Sequence, residues 1–348
     1  MQRFPIASLV VLIALAAAPA GAQVYPDRVE IKSKARVVTS VTAYQRRDRD
    51  DNRQEETERT TKTFKLGPSG SLALGNIAGD ITVTRAGGAD TTIEIVKTAR
   101  GRDTAEARAA LQLVTVDAVE RNGRAEVKAR YPNNGETRGR NRRGFDVEVD
   151  YIVSAPAGTR ISADSISGNI KIADIKGDVS ATTISGDVRI TGGHVGTART
   201  VSGSVEVTDA QVDGTLEAQS VSGDVILRRV SARRIEAESV SGEIKLEDVH
   251  SERVSAHTTS ADISLSGTLM KNGRYELKGA SGDIRVTLAG NTGFEVDASS
   301  FSGEIRASDF SLSSRGGMGH HSLSGTYGDG SAMLDLQTFS GSITISRR

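Results

Sequence analysis

The chain has no cysteine and no tryptophan, and aromatic residues make up only 4% of its 348 residues. Without cysteine, disulfides, thioether lipidation and palmitoylation are all excluded, so an oxidising compartment is tolerated but not exploited. With so few rings, a core built on large aromatic side chains is not expected. Charge of one sign is also lacking in surplus: 44 basic residues face 44 acidic ones. A balanced chain with no basic stripe interleaved with aromatics is a poor nucleic-acid binder, and no nucleic-acid partner is expected. The 37 glycines show no collagen period. Together with small and β-branched residues, they point to many short strands joined by tight corners.

The one long apolar run lies at the start. Arg3 precedes the apolar stretch from Ile6 to Ala18, and Ala20-Gly21-Ala22 supplies small residues at the cleavage positions. This pattern predicts a secretory signal over residues 1–22 and a mature chain beginning at Gln23. The run is shorter than the ~20 residues that cross a bilayer, and no second one follows, so no transmembrane segment is expected after signal removal. The final residues Ile343 to Arg348 form neither a hydrophobic tail nor a membrane-barrel strand flanked by aromatics. The expected location is therefore the periplasm, the cell surface or the exterior.

Residues 23–65 read as a charged N-terminal segment, with Arg46 to Arg59 dense in both signs and expected to be a solvated linker. Residues 66–155 read as a β region, with strands around Leu72 to Val83 and Thr92 to Val96. One helix interrupts them. Asp103 serves as its N-cap with Glu106 three residues on, and Ala107, Ala110, Leu111 and Val114 follow at helical spacing. A hairpin of Leu113–Ala118 and Arg124–Arg130 turns at Asn122-Gly123, with the helix end and the first strand competing for Leu113 and Val114. Arg138, Arg140, Arg142 and Arg143 crowd the loop that follows.

From Ser167 one unit recurs: an apolar residue, Ser-Gly, a polar residue, then apolar-x-apolar. Its serines stand at 167, 185, 202, 222, 241, 260, 281, 302 and 340, spaced by 18, 17, 20, 19, 19, 21, 21 and 38 residues. The last interval is twice 19 and reads as a skipped coil. Three residues after each serine stand Ile170, Val188, Val205, Val225, Ile244, Ile263, Ile284, Ile305 and Ile343, every one β-branched. Five after it, from Ile172 to Ile345, every residue is apolar. Alternate strand residues share a face, so these two columns line one interior. A unit this short buries its apolar face only by stacking on copies of itself. Residues 156–348 are therefore predicted to form a parallel β-helix (β-solenoid) of ~19-residue coils, a rod roughly 45–50 Å long. The corner glycine is expected for a positive φ or for want of room for a Cβ, and Ala261 departs from it. Outside, an acidic column (Asp187, Asp224, Glu243, Asp262, Asp283) runs beside a largely basic one (Lys171, Arg189, Lys245, Arg285). Opposite columns offset the repulsion within each.

On Gly79-Asp80-Ile81-Thr82-Val83, Val153 to Thr159 and the Val-Ser-Gly-Asp units such as Val221 to Val225, the chain resembles the putative-adhesin family over residues 66–348. These are exported bacterial β-strand-repeat proteins that carry a domain of unknown function. The resemblance implies a β-helix-like fold and brings no catalytic residues. The Gly-rich stretch Arg315 to Gly330 departs from the coil pattern and reads as an insertion before the last coil.

The chemistry points away from catalysis. Coils of 17–21 residues leave little chain for the long loops that build a polysaccharide cleft. The outward acids form a file rather than a convergent carboxylate pair. His320-His321 is the single histidine pair, and adjacent strand residues face opposite ways. His194, His250 and His257 read as solvated. No catalytic, cofactor or metal residues are assigned. The expected function is a non-catalytic exported protein that binds an envelope component, a glycan or a protein. Arg138, Arg140, Arg142, Arg143, His320 and His321 are its candidate contacts. The alternative is a polysaccharide-active β-helix enzyme.

Overall fold

A computed structural model describes residues 38–40, 53–132, 146–314 and 321–348. The signal-type segment, Gln23, Arg138, Arg140, Arg142, Arg143 and His320 lie outside the described residues. The described residues form a parallel β-solenoid whose strands fall into two sheets of fourteen.

The β-branched column forms the centre of the first sheet. Ile170, Val188, Val205, Val225, Ile244, Ile263 and Ile284 pair in parallel, each with the next and without a slip of register. All seven are buried, and each such side chain contributes about 1.5–3 kcal/mol by leaving water. The second sheet faces them with alanine on six successive rungs, Ala163, Ala181, Ala198, Ala218, Ala237 and Ala256, all fully buried. Small residues on one wall against Ile, Val and Leu on the other let a single core fill without voids.

The rungs do not follow chain order at either end. After the strand Ile284–Leu288 the chain skips a rung and lays down Phe294–Ser300 and Ile305–Arg306. An antiparallel hairpin arm, Ser322–Tyr327, follows on the outer edge of Phe294–Ser300. The last coil, Ala332–Ser340 and Ile343–Arg347, then returns to fill the vacant rung, pairing on both sides. The 38-residue interval thus conceals no further coil: the Ser340 coil slots between those of Ser281 and Ser302. The N-terminal end does the same. Ser71–Gly75 and Ile81–Arg85 are clamped between Arg124–Arg130 with Asp146–Ala155 on one side and Arg160–Ser167 with Ile170–Ala173 on the other. In both cases the coil nearest the chain end has a neighbour on each face, which protects it from fraying.

Residues Gln54–Phe64, expected as linker up to residue 65, are instead a strand of eleven residues paired antiparallel with Thr91–Gly101. The charges that suggested solvation are complementary across the pair: Arg59 meets Glu94 at 2.6 Å, Lys97 meets Glu58 at 2.9 Å and Arg100 meets Glu55 at 3.3 Å. The helix runs over Thr104–Leu113, its Asp103 carboxylate accepting from the Glu106 N–H at 2.8 Å. Ala107, Ala110 and Leu111 are buried. Leu113 belongs to the helix, Val114 is its extended cap, and the hairpin strand begins at Thr115. At the other end Phe310 closes the core, edge-on to Phe294 and Tyr327 at 5.1 and 5.0 Å, with the Arg347 guanidinium over its ring.

Candidate interaction surface

The Ser-Gly corner sets what faces outward. A Cβ added at Gly186, Gly203, Gly223 or Gly242 would come within 2.0–2.2 Å, or closer, of the carbonyl oxygen of the corner glycine one rung back. Gly186 and Gly203 also hold φ of 143°, but Gly223 does not adopt that region, so close approach is the shared cause. The carbonyls of Gly168, Gly186, Gly203 and Gly223 each receive a buried hydroxyl from two residues before the marking serine of the next rung. Thr183 reaches Gly168 at 3.1 Å, Thr200 reaches Gly186 at 2.9 Å, Ser220 reaches Gly203 at 2.9 Å and Ser239 reaches Gly223 at 3.0 Å. This hydroxyl column is present in the sequence but escapes an alignment that looks for apolar and charged positions. Where Ala261 replaces the glycine, the Thr258 hydroxyl on that rung is buried without a partner.

The acidic column also has a structural use. The Asn169 side-chain oxygen accepts from the Asp187 N–H, Asp187 from Ser204, Asp224 from Glu243 and Asp262 from Asp283, each at 2.9 Å. One oxygen per side chain is thus spent on the next rung. In Asp187, Asp262 and Asp283 the other oxygen meets the basic column, Arg189 contacting Asp187 at 2.8 Å and Arg285 contacting Asp262 at 2.7 Å and Asp283 at 2.8 Å; farther along the strands Arg228 bridges Glu206 and Glu247. Partial burial pushes the Asp262 carboxyl up, but the Asp283 N–H and the Arg285 guanidinium outweigh it and hold it below the usual carboxylate range. Among the described residues no three His, Asp or Glu side chains converge as a metal-ligand group.

The apolar residue before Ser-Gly points out, not in. Ile77, Ile166, Ile184, Val201, Val221, Val240, Phe339 and Phe301 follow one another along the corner, with Thr259 and Ala280 in the file between Val240 and Phe339. Ile77 joins it because Ala78 bridges Ser167 at the marking-serine position. The file ends in Phe339 and Phe301, which are 60% and 72% exposed and stack with ring centroids 4.7 Å apart and planes 3° from parallel. They stack because the last coil slots beneath the Ser302 coil, which places residues far apart in sequence on adjacent rungs. His321 sits beside this pair: its carbonyl accepts from the Ser300 N–H at 3.0 Å and its Nδ1 lies 2.9 Å from the Gly303 carbonyl. The other sequence candidates, Arg138, Arg140, Arg142, Arg143 and His320, lie outside the described residues. His194 and His257, expected as solvated, have partners: the Asp213 N–H donates to His194 Nε2 at 3.1 Å, and Ser255 Oγ lies 2.8 Å from His257 Nε2.

The chain belongs to the Toastrack DUF4097 family, whose match spans residues 80–346. No curated protein matches it. Among solved structures it is similar to a putative adhesin from Parabacteroides distasonis ATCC 8503, at 12% identity and a TM-score of 0.45, covering 83% of this chain and 97% of that one. A putative adhesin from Bacteroides fragilis NCTC 9343 is 16% identical with a TM-score of 0.41, covering 83% and 97%. A putative lipid binding protein from Parabacteroides distasonis ATCC 8503 is 13% identical with a TM-score of 0.42, covering 83% and 96%. No helix among the described residues is long and apolar enough to cross a membrane.

Proposed function

We propose that this protein is an exported, non-catalytic binding protein of the cell envelope, which holds an envelope component, a glycan or a protein along the exposed apolar file. One observation carries the reading. Along this corner Ile77, Ile166 and Ile184 at one end and Phe339 and Phe301 at the other are exposed, with the half-buried Val201, Val221 and Val240, then Thr259 and Ala280, between them. Contiguous exposed apolar surface rimmed by polar residues marks an interaction site. The stacked Phe301–Phe339 pair is its widest part, and aromatic anchors dominate binding energy where they become desolvated.

The test is capture of envelope material and of a glycan array by the mature chain, beginning at Gln23, and by the F301S/F339S double variant. Both side chains lie outside the core, so the variant should unfold at the wild-type denaturant concentration while losing capture. Undiminished capture would remove the file from the function, and recovery of the chain from cytoplasm with Met1 intact would remove export.

A further inference from the structure

A second feature lies on the same sheet, six residues before the file on each strand and hence about 20 Å from it along the strands. Arg234, Arg253 and Arg274 occupy one position on three successive rungs, in register. Their backbones are one strand spacing apart, ~4.8 Å, which brings three guanidinium stems side by side. Like charges directly opposite one another on neighbouring strands repel.

Elsewhere the solenoid cancels such columns. Arg189 is paired with Asp187 and Glu206, Arg228 with Glu206 and Glu247, and Arg285 with Asp262 and Asp283. Here the cancellation stops. Arg234 contacts Glu236 at 3.3 Å, but Arg253 and Arg274 have no ion pair among the described residues, and neither has the adjacent Arg233. The nearby carboxylates contact other cations, Glu217 with Arg199 and Glu276 with Lys278, Arg274 acting on Glu276 only from beyond contact distance. Where the acidic column would face Arg253, the strand carries Ser255.

These arginines line a cleft of about 700 Å³ together with Glu252 and Asn272. The cleft follows from the backbone. Pairing shifts register between Val212 and Thr215, and the buried Ser251 hydroxyl lies 3.1 Å from the Arg233 carbonyl and 2.8 Å from that of Arg253, fixing the bend below it. Gly214 at the rim leaves open space where a side chain would stand. Counting Arg233, Arg253 and Arg274 against Glu252, the cleft holds two uncancelled positive charges.

We propose that this arginine ladder is a binding site for a phosphoryl group. A phosphate dianion matches the two uncancelled charges. Its tetrahedral oxygens accept from guanidiniums on three rungs at once, whereas a carboxylate offers one plane suited to one fork. The group can reach the cleft as free phosphate, on a soluble saccharide or on a lipid headgroup, and the chemistry that recognises it is the same. The site shares no residue with the apolar file, so either can fail without the other.

The experiment is titration of the folded chain with inorganic phosphate, pyrophosphate and acetate, followed by calorimetry and amide chemical shifts. Phosphate and pyrophosphate should bind saturably, more weakly at high salt, with shifts centred on Arg253, and acetate should bind much more weakly. R253Q should lose about tenfold or more in affinity, the scale of one charge-assisted hydrogen bond. R189Q, in a cancelled column, should bind as wild type. Without ligand, R253Q should melt no lower than wild type, because it removes repulsion, so loss of binding cannot be assigned to unfolding. Flotation with phosphatidylcholine vesicles, with and without phosphatidic acid, separates the sources: Arg253-dependent capture only with phosphatidic acid identifies a lipid phosphate, and phosphate binding without capture identifies a soluble one. Absence of both, equal affinity in R253Q, or acetate binding as tightly as phosphate would overturn the assignment.

Discussion

Replacing Gly223 by alanine tests the corner directly. The added Cβ would stand 1.9 Å from the Gly203 carbonyl oxygen, a backbone atom that no rotamer change can move aside. The φ of Gly223 lies outside the left-handed region, so any loss is steric. Opening the rungs enough to admit a methyl costs about 1–3 kcal/mol as overpacking. It also pulls the Gly203 carbonyl from the Ser220 hydroxyl, now at 2.9 Å, leaving that hydroxyl only the Gly223 N–H at 3.0 Å, and the lost hydrogen bond costs about 0.5–1.5 kcal/mol. Alanine returns about 0.4–1 kcal/mol by restricting the unfolded chain, leaving a net loss of about 0.5–4 kcal/mol. On the wild-type rung that carries Ala261 the Thr258 hydroxyl is unpartnered, as is that of Ser165 at the same position of the Ser167 rung. Urea unfolding followed by circular dichroism should show a lower midpoint for G223A. G214A, with nothing within 4 Å of its added methyl, should stay within about 0.5 kcal/mol of wild type. Adding S220A to G223A should cost less than S220A alone, because the bond from that hydroxyl to the Gly203 carbonyl is already broken. A G223A midpoint equal to wild type, or full additivity of the two changes, would refute the argument.

Two further predictions concern the inner and outer columns. I244A should lose about 2–5 kcal/mol by leaving a cavity in a fully buried stack, whereas K245Q, which loses only its 3.2 Å contact with Glu247, should lose less than about 1 kcal/mol; equal shifts in urea midpoint would mean that inside and outside are misassigned. Because the folded Asp262 carboxyl titrates below its unfolded value, its stabilisation is present above the ordinary carboxylate pKa and is lost as pH falls through the folded one. D262N keeps an oxygen for the Asp283 N–H, as Asn169 does for Asp187, so its unfolding midpoint should fall less between neutral pH and strong acid than that of wild type.

What the sequence determined by itself was the repeating coil and its inward face. A side-chain period of two makes Ile244 and Leu246 share one side of a strand, and a 19-residue unit has nowhere to bury them except against its own copies. The helix start was equally legible, because an N-cap such as Asp103 acts on a donor three residues away. Rung order was not. Near-identical coils can pair with one another in any sequence, and an interval of 38 residues suits either a skipped coil or one that returns to fill a gap. Only the strand pairing of Ile343, in register with Ile284 on one side and Ile305 on the other, decides it. The same long-range pairing makes a strand of Gln54–Phe64, whose charges are satisfied by residues some 35–45 positions away. It also sets Phe301 on Phe339, and with the bend beneath Arg233 it turns three arginines that recur at one position of the repeat into the wall of a single cleft.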